Sequence, residues 1–354
     1  MLKVQSNLDK QGRYAILLNH RELINQIYSA TVTDNTTYEL KKQLFYFHQP
    51  KTTTTNQKKR KRKLNDAPNI QQSEDNITEY LKLLPEVENS DVETSLPRYW
   101  EAEYTLPQLH GSNLSGKFQE FHNGNSSSYI IPQAARFYNH NVEQLTALLP
   151  QLLPSYDVIV LDPPWRNKYI RRIKRTKQEL GYAMLDNDQL SQLPLGQLIH
   201  ERTLVAIWCT NSRQHQQALE TNLLSSWRLR LLHKLRWYKL NTEHQLISDL
   251  NSGDVTQKQP YEMLYLACHV ESDASYAEEL KQTELLLSIP SIVHSHKPPL
   301  LEWLRSHLKL GEHQKEPNCL ELFARYLQPN FTSIGLEVLK LMNERLYDKV
   351  VKQI

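Results

Sequence analysis

The stretch YDVIVLDPPW, residues 156–165, decides how this chain folds and where its chemistry sits. Within it, DVIVL (157–161) is a continuous apolar run rather than an alternating one, the pattern of a strand buried on both faces of a sheet. Runs of the same kind recur at TLVAIW (203–208), YEMLYLAC (261–268) and ELLLSI (284–289), and Ser225–Leu240 reads as one long strand. Helical patterns lie between several of them, at Val142–Leu153, Asp186–Ile199 and Ser212–Leu224. Strands alternating with helices predict an α/β fold, a mainly parallel sheet between helix layers, over residues 129–354.

Upstream the pattern weakens. Two strands are predicted at Tyr14–Leu18 and Tyr38–His48, with a polar helix-like stretch between them. Residues 49–78 carry TTTT and KKRKRK and almost no large apolar side chains, so they read as a disordered basic insertion. One or two short helices are expected in 79–108. The Gly-, Ser- and Asn-rich segment Gly111–Ser128 reads as a linker that closes a smaller N-terminal accessory domain, residues 1–128.

Composition excludes several classes. No run approaches the roughly 18 apolar residues of a membrane span, and the first residues, MLKVQSNLDKQGRY, lack the apolar core of a secretory signal. Cys209, Cys268 and Cys319 are far apart and odd in number, against a disulfide scaffold or zinc cluster; an intracellular compartment is expected. The 14 histidines include no HExxH or other metal spacing, so no metal is predicted. The nine glycines form neither GxGxxG nor GxxxxGK[ST].

Asp162-Pro163-Pro164-Trp165 follows directly on the predicted strand, where α/β sheets bind ligands. The prolines remove two N–H donors and leave carbonyls and one carboxylate as acceptors. Such a pocket, with a tryptophan to flank a flat ring, suits a planar group bearing an NH₂, as adenine does. Asp162 and the Pro163 carbonyl can accept both amino hydrogens, favour a pyramidal nitrogen and stabilise the positive charge that develops on attack. For the tetrapeptide alone, a proline-rich strand end with a core tryptophan would be an equal reading. Cys209 and Cys268 read as small core residues, and Trp208 and Trp237 as core first, base contacts second.

DPPWRNK (162–168), LGYAML (180–185), AIWCTN (206–211), LRWYKL (235–240), PYEMLYL (260–266), HSHKPPL (294–300), ELFARYLQPN (321–330) and TSIGLEVLK (332–340) together resemble the eukaryotic adenine-N6 methyltransferases related to the catalytic subunit of the mRNA adenosine methyltransferase. The set looks most like the methyltransferase-like four branch, over roughly residues 129–345. The resemblance implies a Rossmann-like sheet, S-adenosyl-L-methionine as methyl donor and adenosine in RNA as substrate. It implies an internal 2′-O-methyladenosine of U2 small nuclear RNA as the usual target of the branch, with DNA adenine as the alternative. A catalytically silent RNA-binding scaffold or partner subunit is the alternative from another class.

By the same resemblance Ser295, His296 and Lys297 form the donor loop, with Lys297 on the donor's carboxylate, before a helix with Pro298 and Pro299 in its first turn. Arg325 follows a short strand at Leu320–Phe323 and joins the donor side, as does Asp162. Glu337 takes the ribose, although Leu336 stands where relatives carry an asparagine. Asn139 and His140, in the stretch 138–141, stand where relatives carry an aspartate toward the donor's adenine. Tyr326 replaces a usual asparagine, and Glu262 resembles a position near the substrate.

Seven of the twelve residues Arg166–Lys177 are basic. Chain continuity puts them beside the pocket, so Arg166, Asn167, Lys168, Arg171, Arg172, Lys174 and Arg175 are expected to contact nucleic acid. The six basic residues Lys58–Lys63 read as a nuclear localisation signal, giving a nuclear protein that acts on RNA, away from membranes and as a monomer.

Overall fold

The computed structural model describes residues 1–5, 12–29, 36–45, 76–85, 106–124, 127–166, 184–248, 250, 259–275 and 277–351. Its strands are β1 (Leu2–Gln5), β2 (Tyr14–Leu17), β3 (Thr36–Leu40), β4 (Leu109–Ser112), β5 (Gln119–Asn123), β6 (Ser127–Ile131), β7 (Arg136–Asn139) and β8 (Val158–Leu161). They continue with β9 (Leu204–Cys209), β10 (Leu229–Lys239), β11 (Tyr261–His269), β12 (Thr283–Ser288), β13 (Cys319–Leu322), β14 (Phe331–Ile334) and β15 (Tyr347–Val351). Eleven of these form one sheet in the order β1-β2-β12-β10-β11-β9-β8-β13-β14-β7-β4.

The sheet is mixed and flanked by helices, an α/β fold. Parallel pairings join β7, β14, β13, β8 and β9, and again β10, β12 and β2. Antiparallel pairings insert β11 and attach β1 and β4 at the two edges. Because β11 alone is inverted between two parallel groups, the carboxyl ends of β7, β14, β13, β8, β9, β10, β12 and β2 share one edge with the start of β11.

Alternation along β8 explains its unbroken apolar run. Ile159 and Leu161 pack into a core with Leu190, Leu195 and Trp227, whereas Val158 and Val160 pack on the opposite face with Trp208, Trp237 and Trp303. At about 25 cal/mol per Å² of apolar surface, residues buried on both faces are the main favourable term.

The division into an accessory domain 1–128 and a catalytic domain 129–354 does not survive the sheet pairing. β2 pairs in parallel with β12, β3 pairs with β15, and β4 pairs with β7. The helix His20–Ser29 buries Leu23 against the central sheet and Ile24 and Tyr28 in a third core, where the Tyr28 hydroxyl donates to the Leu327 carbonyl at 2.6 Å. Gly111–Ser128, read as a linker, contains the end of β4, all of β5 and the start of β6. Gly111 is a strand glycine needed for close packing: a Cβ there would stand 2.9 Å from the Phe137 ring.

Other boundaries shift for local reasons. Tyr38–His48 is not one strand; β3 ends at Leu40 and a 3₁₀ turn, Lys42–Phe45, follows. Val142–Leu153 breaks into 3₁₀, α and 3₁₀ turns around Pro150, and Asp186–Ile199 breaks at Pro194 after a helix Asn187–Ser191 that opens with an Asp186/Gln189 capping box. The helix after HSHKPPL starts at Leu301, beyond both prolines. The basic insertion lies outside the described residues, except where 76–78 open the helix Ile77–Lys82.

Candidate active site

Four neighbouring parallel strands end around one pocket. The exits of β7, β14, β13 and β8 supply Asn141, Val142 and Glu143, then Leu336 and Glu337, then Phe323, Ala324 and Arg325, then Asp162 and Pro164; Leu185 closes the side. The space between them, counted with its opening to solvent, is about 470 Å³. Gly335 makes the close approach of two exits feasible. A Cβ there would sit 2.7 Å from the Ala324 carbonyl oxygen. Across that gap Arg325 Nε lies 3.3 Å from Glu337 Oε2, and Lys340 Nζ 2.7 Å from Glu337 Oε1.

Asp162 is held by Lys297, whose Nζ donates to Oδ2 at 2.9 Å. Lys297 Nζ also lies 3.2 Å from Glu262 Oε2, and Lys239 Nζ donates to the other Glu262 oxygen. Burial alone would lower the Lys297 pKa; the charges of Asp162 and Glu262 reverse that and hold it above its ordinary value. Behind them, burial pushes the Glu321 carboxyl up to about 8 against the Gln328 hydrogen bond, with the Asp162 charge adding to the rise. His296 is driven down to about 3, first by burial and then by Arg325 and Lys297. Burial, reinforced by His296, likewise holds His20 well below its ordinary value; the two rings meet edge-on at 4.8 Å.

Several residues singled out in the sequence take other parts. Trp165 does not flank the pocket. It is 4% exposed, its indole N–H donates to the Trp208 carbonyl at 2.8 Å, and it packs on His215. The Pro163 carbonyl accepts the Trp165 backbone N–H at 2.8 Å, so only its second lone pair is left for another donor. Trp208 is buried in β9 and cannot stack on a base from there; it lies under Lys297, 5.7 Å from the ammonium. Trp237 is a core residue tied to Ser288 Oγ at 2.7 Å.

Asn139 turns away from the pocket, donating to the Leu106 and Pro107 carbonyls at 3.1 and 2.9 Å. His140 lies beside Tyr138, outside the pocket lining. From this turn the pocket is lined instead by Asn141, Val142 and Glu143, because the strand ends at Asn139 and the chain bends into the 3₁₀ turn Val142–Gln144. Ser295 adopts a left-handed backbone, φ 56°, which turns the loop so that His296 and Lys297 point inward. Tyr326 is buried against His296. Arg166 is exposed, and its carbonyl is held by His215 at 2.9 Å. Asn167, Lys168, Arg171, Arg172, Lys174 and Arg175 lie outside the described residues, as do Lys58–Lys63.

Val142, Glu143, Phe323, Lys239 and Glu321 were not singled out in the sequence. Glu143 accepts from Gln189 and from Asn141, both at 2.9 Å, which fixes it at the pocket rim. A glutamate inside the otherwise apolar strand CLEL, Glu321, was the one visible signal among them. No group of three or more metal-ligating side chains occurs among the described residues, and no described helix is long and apolar enough to cross a membrane.

Comparison with known proteins gives this arrangement its relatives. The MT-A70 family profile matches residues 156–337, just over half of the chain and the part that builds β8 through the exit of β14. The chain is 33% identical over 222 residues to the human N(6)-adenine-specific methyltransferase METTL4, covering 61% of this chain and 44% of that protein. It is 30% identical over 227 residues to a Caenorhabditis elegans DNA N6-methyl methyltransferase, 64% of this chain and 58% of that one. To the N6-methyladenosine RNA methyltransferase MTA1 of Pyricularia oryzae it is 28% identical over 236 residues, 65% and 59%. The chain thus spans less than half the length of its human relative. With DPPW at the exit of a buried parallel strand and the profile running unbroken through the pocket-forming loops, the chain belongs to the MT-A70 family, and its matches accord with a METTL4-like branch.

Proposed function

We propose that this chain transfers a methyl group to the exocyclic N6 amine of adenosine in nucleic acid, with S-adenosyl-L-methionine as donor. One observation carries the reading: the Asp162 carboxylate stands at the rim of a strand-exit pocket, oriented by the buried ammonium of Lys297. A carboxylate so held accepts the hydrogens of an amine and stabilises the positive charge that grows on its nitrogen during attack, without reorienting at that moment. After attack the same carboxylate can accept the proton the product must lose.

The pocket fits the donor. Gly335 lets the exits of β13 and β14 close on one space, where Glu337 and Glu143 would offer carboxylates for hydroxyl or amino hydrogens, Asn141 an amide, and Arg325 a cation for a carboxylate. When bound, the donor supplies an electrophilic methyl. The lining residues would hold it next to Asp162, with Val142, Leu185, Phe323 and Leu336 as the apolar walls of its site.

RNA is the substrate proposed first, supported by the basic run beginning at Arg166 and by the printed activity of the MTA1 relatives. U2 small nuclear RNA and nuclear residence belong to the same proposal, the latter supported by Lys58–Lys63. DNA is the second reading, favoured by the name of the C. elegans relative. The test is transfer of a labelled methyl group to matched RNA and DNA oligonucleotides, with nucleoside analysis for N6-methyladenine. Product on RNA alone supports the first reading and product on DNA alone the second. No product on either, with the donor bound, removes both.

A further inference from the structure

The segment after β8 has few donors of its own. Pro163 and Pro164 carry no N–H, so the turn must be fixed largely through its carbonyls and through the Trp165 indole. Three contacts do this among the described residues. The Trp165 indole donates to the Trp208 carbonyl of β9, the Leu185 N–H donates to the Pro164 carbonyl at 3.1 Å, and His215 Nε2 lies 2.9 Å from the Arg166 carbonyl.

His215 is set in place by its helix. Arg213–Ala218 runs on into a π-helical turn, Leu219–Leu223, and then into Leu224–Ser226. Leu219, Leu223, Leu224 and Trp227 enter the core with Ile159 and Leu161 of β8. One turn earlier His215 is buried, its ring 5.3 Å from that of Trp165. Such π-turns inside helices are frequent at functional sites. A carbonyl can only accept, so Nε2 carries a proton. Nδ1 meets the Asn187 side-chain amide at 2.9 Å. An amide closes that bond in either orientation, its oxygen accepting from a protonated Nδ1 or its nitrogen donating to a bare one. Asn187 opens the helix Asn187–Ser191, whose Gln189 donates to Glu143 at the pocket rim at 2.9 Å. One imidazole therefore joins the exit of DPPW to a helix that also touches the pocket.

We propose that His215 is a positioning residue for methyl transfer: its Nε2–H fixes the Arg166 carbonyl, and through it the path of Asp162–Trp165 relative to the amine. This rests on reading Asp162 as the acceptor of the amine. Lys297 orients the Asp162 carboxylate, but the main chain that carries it, and the Pro163 carbonyl with it, follow the turn. A reacting group misplaced by about 1 Å can cost about 100-fold in rate. Asn141, Arg325 and Glu337 stand on other strand exits, so donor affinity should change less than turnover.

The experiment compares wild type, His215→Leu, His215→Gln and His215→Asn in the full chain. Glutamine brings an amide N–H close to where Nε2 stands, asparagine is one bond too short, and leucine has no donor. At saturating donor and RNA or DNA oligonucleotide, kcat should fall about 10- to 100-fold in the Leu and Asn variants and stay within about threefold in Gln. Donor affinity by calorimetry should stay within about threefold throughout. Hydrogen exchange at the Leu185 amide, read by NMR without donor or nucleic acid, should quicken about tenfold or more in Leu and Asn but not in Gln, with β8 amides as protected as in wild type. A role confined to packing predicts the reverse, because leucine best fills the space beside Trp165 and would be the mildest change. Equal losses in Gln, Asn and Leu, unchanged Leu185 exchange in Leu, or a wild-type His215 Nε2 without a bound proton would each overturn the proposal. Should the Leu variant fail to fold, the contrast between Gln and Asn decides alone. If exchange follows the donors but wild type methylates neither RNA nor DNA, the hold of His215 on the turn stands and the proposed activity falls.

Discussion

Asp162 and Glu321 show how differently two carboxyl groups on the neighbouring strands β8 and β13 can be partnered. Asp162 faces Lys297 across 2.9 Å, whereas Glu321, buried in β13, accepts from the Gln328 amide at 3.3 Å. Asp162→Ala should lower methyl transfer by at least about 100-fold, the order found when a preorganised electrostatic contact is removed. Donor binding should persist, because Lys297 keeps Glu262 as its partner. Calorimetry of donor binding beside single-turnover transfer checks this; near-normal transfer on a verified substrate rules out amine activation by Asp162. Glu321 yields a prediction about stability. A glutamate ionises near 4.5 when unfolded and near 8 here, so the folded state keeps a proton that the unfolded chain releases. Stability tied to this group is therefore full below about 4.5 and lost as pH rises toward about 8. Glu321→Gln keeps the shape and abolishes the titration, so it should be more stable relative to wild type at pH 8 than at pH 5. Urea unfolding at both values measures the difference, and an equal difference at both would count against a raised Glu321.

At the scale of elements, the segment after DPPW is anchored where it leaves and where it returns. His215 bridges the two roots, with one ring nitrogen 2.9 Å from the Arg166 carbonyl and the other 2.9 Å from Asn187 Oδ1. The Leu185 N–H donates to the Pro164 carbonyl at 3.1 Å, so both roots sit beside Asp162. On the proposed RNA reading, the basic residues between these roots contact phosphates. Neutralising Arg171, Arg172, Lys174 and Arg175 should weaken RNA binding uniformly across sequences. Each phosphate contact on a single strand contributes about 0.7 to the slope of log affinity against log salt, so three or four lost contacts flatten it by about two to three. Binding measured at four or more salt concentrations gives that slope. Parallel lines for wild type and variant would mean these charges touch no phosphate.

The described residues of the molecule are organised around one eleven-stranded sheet rather than as two domains in series. β2 lies between β1 and β12, the helix His20–Ser29 seats Tyr28 on the Leu327 carbonyl, and His20 packs on His296 beside Lys297. Cutting the chain at residue 128 would open the β12 and β7 edges at once and strip a side of the loop that carries Lys297. A fragment of residues 129–354 should therefore lack a cooperative urea transition and bind the donor weakly, whereas the full chain has both. Circular dichroism through a urea titration decides it. A fragment with a sharp transition near that of the full chain would restore the two-domain reading.

What the sequence alone determined is what depends on neighbours along the chain. The unbroken apolar run of β8 announced burial on both faces, and DPPW directly after it placed Asp162 at a strand exit, because covalent continuity leaves no other place for it. The same holds for β9, β11 and β12, whose composition marks them without reference to any partner. Tertiary structure decided what depends on residues distant in sequence. Trp165 reads as a ring-flanking residue until the Trp208 carbonyl is found to hold its N–H, and Gly111 reads as a linker until Phe137 is found against it. Lys297 meets Asp162 across 135 positions, and Lys239 joins them only because β11 is inverted in the sheet. Hydrophobic periodicity fixes which face of a strand is buried, but not which strand lies next to it; strand order is chosen by the packing of the whole sheet, and the site's ion pairs follow from that order.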